Sequence, residues 1–72
     1  MEIECSYTGH HPIIDQLIRS NMKAKGFSET GSGMALMESR RDITFRKRGR
    51  VKLATIKKGF PRGINVRDIT ED

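Results

Sequence analysis

The sequence predicts an α+β domain in which one amphipathic helix packs on a small curled antiparallel sheet of three or four strands. The expected order is β-α-β-β-β, to which a short C-terminal strand can be added. Polar and apolar residues alternate over residues 2–7, apolar residues recur every third or fourth position over residues 12–25, and alternation returns over residues 43–53. Alternation has the period of a strand with one buried face, and spacings of three and four have the period of a half-buried helix.

The size of the chain limits its functions. With 72 residues and 8.2 kDa it fits one small domain, residues 1–72. A body this small has little room for a ligand cavity of about 300–1,000 Å³, so we expect no cofactor. The longest apolar run, residues 34–37, is far shorter than the roughly 20 residues of a membrane-spanning helix, and we expect no membrane partner. The single cysteine cannot form an internal disulfide, which favours a cytoplasmic location.

The first strand is predicted over residues 2–7. Ile3, Cys5 and Tyr7 occupy alternate positions and therefore share one face. This face is expected to point into the core. Cys5 is then a small buried side chain and not a reactive thiol.

The helix is predicted over residues 12–25. Pro12 suits its first turn, because proline lacks the amide hydrogen that has no partner there. Gly26 suits the left-handed position after the last turn, with Phe27 folding back on Met22. Asp15 is expected on the solvent side. The apolar stripe consists of Ile13, Ile14, Leu17, Ile18 and Met22.

The middle of the chain allows two layouts. Residues 28–33, rich in serine and glycine, are predicted to form a flexible loop. We favour a strand for residues 34–39, pairing with residues 42–48 through a turn near Arg40 and Arg41. Because these residues are also good helix formers, the alternative is a helix-helix-hairpin layout that resembles a winged helix.

A basic hairpin is predicted next. A three-residue loop over residues 47–49 pairs Phe45 with Val51, and it places Gly49 where a left-handed residue is needed. One face then carries only apolar side chains: Ile43, Phe45, Val51 and Leu53. The other face carries Thr44, Arg46, Arg50 and Lys52. A hairpin that buries its apolar face must display a cationic one.

The C-terminal part is predicted to contain a loop over residues 57–63 and a short edge strand over residues 64–69. Residues 69–72 are expected to be frayed. An exposed edge strand and a small core also favour a homodimer.

Charge is unevenly distributed and carries the functional prediction. Residues 40–67 hold eleven basic side chains and one acidic side chain, whereas the whole chain has a net charge of +5. We therefore expect a non-catalytic protein that binds DNA or RNA through phosphates, with selectivity for structure more than for sequence. Phe60, among lysines and an arginine, is a candidate for stacking an unpaired base. The predicted contact residues are Arg40, Arg41, Arg46, Lys47, Arg48, Arg50, Lys52, Lys57, Lys58, Phe60 and Arg62.

Two other functional classes remain open. A small basic protein can act as a protein-interaction module, a regulator or inhibitor that docks its basic face on an acidic partner protein. The third class is a small nuclease that uses His10 or His11 as an acid or base. The same histidines with Asp15 do not complete a metal site, because a closed site needs more ligands.

Overall fold

The computed structural model describes residues 1–71 and has the element order β-α-β-β-α-β. A single turn of 3₁₀ helix, Leu36–Glu38, joins the second strand to the third. The α+β class is confirmed. The elements are β1 (Glu2–Thr8), α1 (Pro12–Ala24), β2 (Ser28–Ala35), β3 (Arg40–Arg46), α2 (Leu53–Lys57) and β4 (Asn65–Asp68).

The four strands form one sheet in the order β2-β3-β1-β4, and all neighbouring strands are antiparallel. It follows that β1 and β2 run parallel with β3 between them, and that β3 and β4 run parallel with β1 between them. The element order β-α-β-β-α-β is that of the ferredoxin-like motif, which is also called split β-α-β. Each helix connects two parallel strands, and both helices pack on the face of the sheet that carries Ile3, Ile43 and Phe45. The other face is open.

The core lies between the sheet and the two helices. Ile3 lies opposite Phe45 and Cys5 lies opposite Ile43, so the predicted inward faces of these strands are confirmed. Burial raises the pKa of the Cys5 thiol to about 12, with a smaller contribution from the charge of Glu4, so the thiol is protonated at neutral pH. The buried apolar residues are Ile3, Cys5, Tyr7, Ile18, Met22, Phe27, Ile43, Phe45, Ile56 and Val66.

Helix α1 ends as predicted. Gly26 has a φ of +87°, the amide of Gly26 donates to the carbonyl of Lys23, and the amide of Phe27 donates to the carbonyl of Met22. These two bonds define the expected glycine cap.

The predicted apolar stripe of α1 is only partly right. Ile18 and Met22 are buried, but Ile13 is 80% exposed and Leu17 is 38% exposed. Asp15, predicted on the solvent side, is 4% exposed. The helix is rotated toward Asp15 because the carboxylate of this residue has hydrogen-bond partners on the sheet.

The prediction of a loop over residues 28–33 is wrong, because these residues begin β2. None of the β2 residues is fully buried, so this strand needs no apolar alternation, and it is held by backbone pairing with β3. The strand predicted from residue 34 ends at Ala35, which pairs with Arg40. The turn is therefore the 3₁₀ segment Leu36–Glu38, not Arg40 and Arg41, and the winged-helix alternative is wrong.

The predicted hairpin of residues 43–53 does not form. β3 ends at Arg46, and residues 53–57 form helix α2 instead of a strand. The physical reason is that β3 is a central strand whose two edges are already occupied by β1 and β2. Gly49 does adopt the left-handed conformation, with a φ of +77°, but in an irregular connection.

The predicted C-terminal edge strand is confirmed as β4, which pairs with β1 at one edge of the sheet. The amide of Ile69 donates to the carbonyl of Glu2, and the amide of Glu2 donates to Oγ1 of Thr70. The expectation of fraying over residues 69–72 includes Asp72, which lies outside the described residues. No helix within residues 1–71 is long and apolar enough to cross a bilayer.

Candidate nucleic-acid interface

The predicted contact residues do not share one face but are distributed over several parts of the molecule. Arg40 and Arg46 stand at opposite ends of β3, about 20 Å apart at the usual rise per strand residue. Lys57 and Lys58 stand at the end of α2, and Arg62 lines a small cleft beside Thr8 and His11. Arg50 and Lys52 line another cleft together with Asp68. Nη1 of Arg50 lies 3.6 Å from Oδ2 of Asp68.

Three predicted residues do come together, where β1 begins and β3 ends. Arg46, Lys47 and Arg48 surround an open cleft of about 850 Å³. Two hydroxyl side chains, Ser28 and Thr30, line the same space, and none of its lining residues is acidic. We call this site the basic cleft. Its lining residues are Met1, Gly26, Ser28, Thr30, Arg46, Lys47, Arg48 and Gly49.

The local structure explains why these cations meet. Arg46 is the last residue of β3 and lies opposite Ser28 of β2. The backbone of Lys47 is held by Met1 through two hydrogen bonds, since each backbone nitrogen donates to the carbonyl of the other residue, at 2.9 and 3.0 Å. A Cβ atom at Gly26 would lie 3.0 Å from Nζ of Lys47, so the glycine cap of α1 leaves room for this ammonium group.

The cations of the basic cleft form no ion pair with any of residues 1–71, although Glu2 of β1 lies opposite Arg46. Ion pairs are formed elsewhere by Arg19, Arg40, Arg41, Arg50 and Arg67, but none involves Arg46, Lys47 or Arg48. Arg46 and Arg48 are also exposed. The planar guanidinium group of an exposed arginine that forms no ion pair matches the geometry of phosphate oxygens.

The open face of the sheet has a different character around Glu4, away from Arg46 and Ser28. The carboxylate of Glu4 lies 3.3 Å from Arg40 and 3.2 Å from Arg67, so opposite charges are paired there. Tyr7 and Phe45 point to the helices, and the strand residues of the open face include no aromatic side chain. RNA-binding sheets use exposed aromatic rings to stack bases. This face lacks that feature.

The side chain of Arg41 is bound within the protein and does not face solvent. It is 13% exposed, its Nη2 lies 3.1 Å from Oδ2 of Asp15, and its Nη1 donates to the carbonyl of Gly33 at 3.2 Å. The guanidinium group is therefore engaged inside the protein and is not part of the basic cleft. The sequence does contain a signal for this position. Arg41 precedes Ile43 by two residues, and in a strand this spacing places both side chains on the same inward face.

Asp15 is a buried polar residue, and its burial was not predicted from the sequence. The hydroxyl of Tyr7 donates to its Oδ1, and Arg41 donates to its Oδ2. Desolvation acts to raise the pKa of Asp15, but the hydrogen bonds from Tyr7 and Arg41 and the charge of Arg41 outweigh it and hold the pKa below its ordinary value. Burial and the bond to Asp15 raise the pKa of Tyr7.

The histidines lie at the far end of the sheet from the basic cleft. His10 and His11 are exposed and follow the last residue of β1, and Nε2 of His10 lies 3.7 Å from Oδ2 of Asp15. No group of three or more metal-ligating side chains is arranged to hold a metal ion in the described part of the chain.

Phe60 is half-buried against the core. Nζ of Lys25 lies 5.9 Å from the centroid of its ring, within the range of a cation–π contact. The ring therefore has contacts within the protein, and it is not among the residues of the basic cleft.

Comparison with protein-family models, curated proteins and solved structures gave no match for this chain. The functional inference therefore rests on the side chains described above.

Proposed function

We propose that the protein binds the phosphate backbone of nucleic acid at the basic cleft. The observation that carries this proposal is the cluster of Arg46, Lys47 and Arg48 around a cleft that has no acidic lining residue. Ser28 and Thr30 add hydroxyl donors. Arginine, lysine, serine and threonine are among the side chains that most often bind phosphate oxygens.

The preferred ligand is a double-stranded nucleic acid, which should bind with higher affinity than a single strand. Single-strand binding gains much of its affinity from aromatic side chains that stack on bases, and the open face of the sheet offers none. Phosphate contacts carry no direct sequence information, so binding depends on the shape of the backbone. This proposal places the protein in the cytoplasm, where a free thiol such as that of Cys5 persists.

The positions of the histidines support a proposal of binding without cleavage. β1 separates His10 and His11 from the basic cleft by about 20 Å, the length of a seven-residue strand. A phosphate held by Arg46 is therefore out of reach of either imidazole.

Fluorescence titration over a salt series tests the proposal. Labelled duplex and single-stranded oligomers of equal length are titrated between about 50 and 200 mM salt. If three phosphates are bound, the logarithm of the association constant for duplex DNA should fall with the logarithm of salt at a slope of about −2.7, or about −0.9 per phosphate. The duplex should bind more tightly than the single strand.

Undetectable binding at low salt, or binding that does not change with salt, would overturn the proposal. Poly-aspartate at matched charge is the control for an acidic protein partner. If poly-aspartate binds as tightly as the duplex, the protein-interaction alternative is favoured.

A further inference from the structure

The edge strand β2 is open to pairing. It has eight residues, contains neither proline nor lysine, and its only charge is Glu29, which Arg19 binds through Nε at 2.6 Å. Proline, lysine and bulges are the usual protections of an edge. β2 has a bulge between Glu29 and Gly31, and the register from Gly31 to Ala35 is regular.

Two apolar side chains are exposed immediately after β2. Leu36 is 81% exposed and Met37 is 102% exposed, in the 3₁₀ turn that follows Ala35. We call Leu36 and Met37 the apolar knob. The next residue, Glu38, is exposed and forms no ion pair with any of residues 1–71.

A small cleft of about 280 Å³ lies at the opposite end of β2, where this strand follows α1. Phe27 and Phe45, which are 4% and 2% exposed, are among its lining residues, and Lys23 stands beside them without an ion pair among the described residues. We call this space the aromatic cleft. Its lining residues are Arg19, Lys23, Phe27, Ser28, Glu29 and Phe45.

We propose that two copies of the chain pair antiparallel through β2, with the apolar knob of each copy in the aromatic cleft of the other. A two-fold axis at the midpoint of β2 sets Ala35 of one copy opposite Ser28 of the second, and therefore Leu36 opposite Phe27. Such an interface is self-complementary, because the same patch serves both subunits.

Charge complementarity supports a second copy as the occupant. The knob is followed by the acidic Glu38, and the aromatic cleft is flanked by the basic Lys23, whereas Arg19 and Glu29 in its lining pair with each other. The antiparallel arrangement brings Glu38 of one copy to Lys23 of the other. Like charges do not meet along β2, because Glu29 is its only charged residue.

Sedimentation equilibrium without nucleic acid tests this dimer independently of the proposed function. We expect the wild type to dimerise with rising concentration. Glu38→Lys and Lys23→Glu should each raise the dimer dissociation constant about tenfold, which corresponds to about 1.4 kcal/mol. The double variant E38K/K23E should return to within about threefold of the wild type, because the pair is restored with reversed charges.

Two further variants complete the experiment. Glu71→Lys makes the same charge change outside the interface and should leave the dissociation constant unchanged. Leu36→Ser/Met37→Ser should abolish dimerisation while the circular dichroism spectrum stays that of the folded protein. A wild type that remains monomeric at millimolar concentration would overturn the proposal, and so would a double charge swap no better than the single variants.

Discussion

Replacing Arg46 and Arg48 together by glutamate should lower the affinity for duplex oligonucleotides by at least about 100-fold. Each arginine is exposed at the basic cleft and forms no ion pair with any of residues 1–71. A hydrogen bond to a charged group is worth about 1.5–3 kcal/mol, and about 1.4 kcal/mol corresponds to a factor of ten. The dependence on salt should also become weaker, by about 0.9 in slope for each phosphate that the variant no longer binds. Fluorescence anisotropy with a labelled duplex measures both effects.

The matched control is the double variant Lys57→Glu/Arg62→Glu. It changes the net charge by the same amount, but both residues lie outside the basic cleft. We expect its affinity to fall by less than about tenfold, through the general field of the protein alone. Equal decreases in the two variants would show that total charge, and not the cleft, determines binding.

Replacing Asp15 by alanine should have the largest effect on stability. The change leaves the guanidinium of Arg41 largely buried without its carboxylate, which costs about 3–5 kcal/mol. A domain of 72 residues has a total stability of about 4–11 kcal/mol, so much of it should be lost. Urea unfolding followed by circular dichroism measures the change.

Glu29→Ala is the control, because it removes an ion pair that is at the surface and not buried. Glu29 binds Arg19 at the surface, with side-chain exposures of 35% and 41%, and such pairs contribute less than about 1 kcal/mol. The double variant Asp15→Leu/Arg41→Leu should recover much of the stability, because it removes both buried charges. A loss in D15A no larger than in E29A would contradict the role assigned to Asp15.

The pH dependence of stability follows from the same group. Because the pKa of Asp15 is lower in the folded state than in the unfolded state, its contribution is fully present above the unfolded pKa. The contribution is lost as the pH falls through the lowered folded pKa. The stability of the wild type should therefore decrease in acid, and D15A should show a smaller decrease over the same range.

Local features of the structure could be predicted from the sequence. The inward face of β1 follows from the alternation of Ile3, Cys5 and Tyr7, and the end of α1 follows from the need for a left-handed residue at Gly26. Both depend on neighbouring residues alone. The short edge strand predicted over residues 64–69 corresponds to β4.

Features that depend on distant partners could not be predicted. β2 has no alternation because none of its residues is fully buried, and it is held by pairing with β3. The hairpin prediction failed because the pattern over residues 50–53 does not reveal that both edges of β3 are occupied. The basic cleft can be predicted only in part, since Ser28 and Thr30 enter it through the β2–β3 register, and Arg41 lies five residues before Arg46 on the opposite face of β3.

The most direct test of phosphate binding at the basic cleft is a titration of the ¹⁵N-labelled protein with a duplex oligonucleotide, followed by amide chemical shifts. The account predicts that the largest shifts fall on residues 26–30 and 46–49, and that residues 40 and 57–62 change little. Shifts that are largest around Glu4, Arg40 and Arg67, or that are spread evenly over all basic residues, would contradict it.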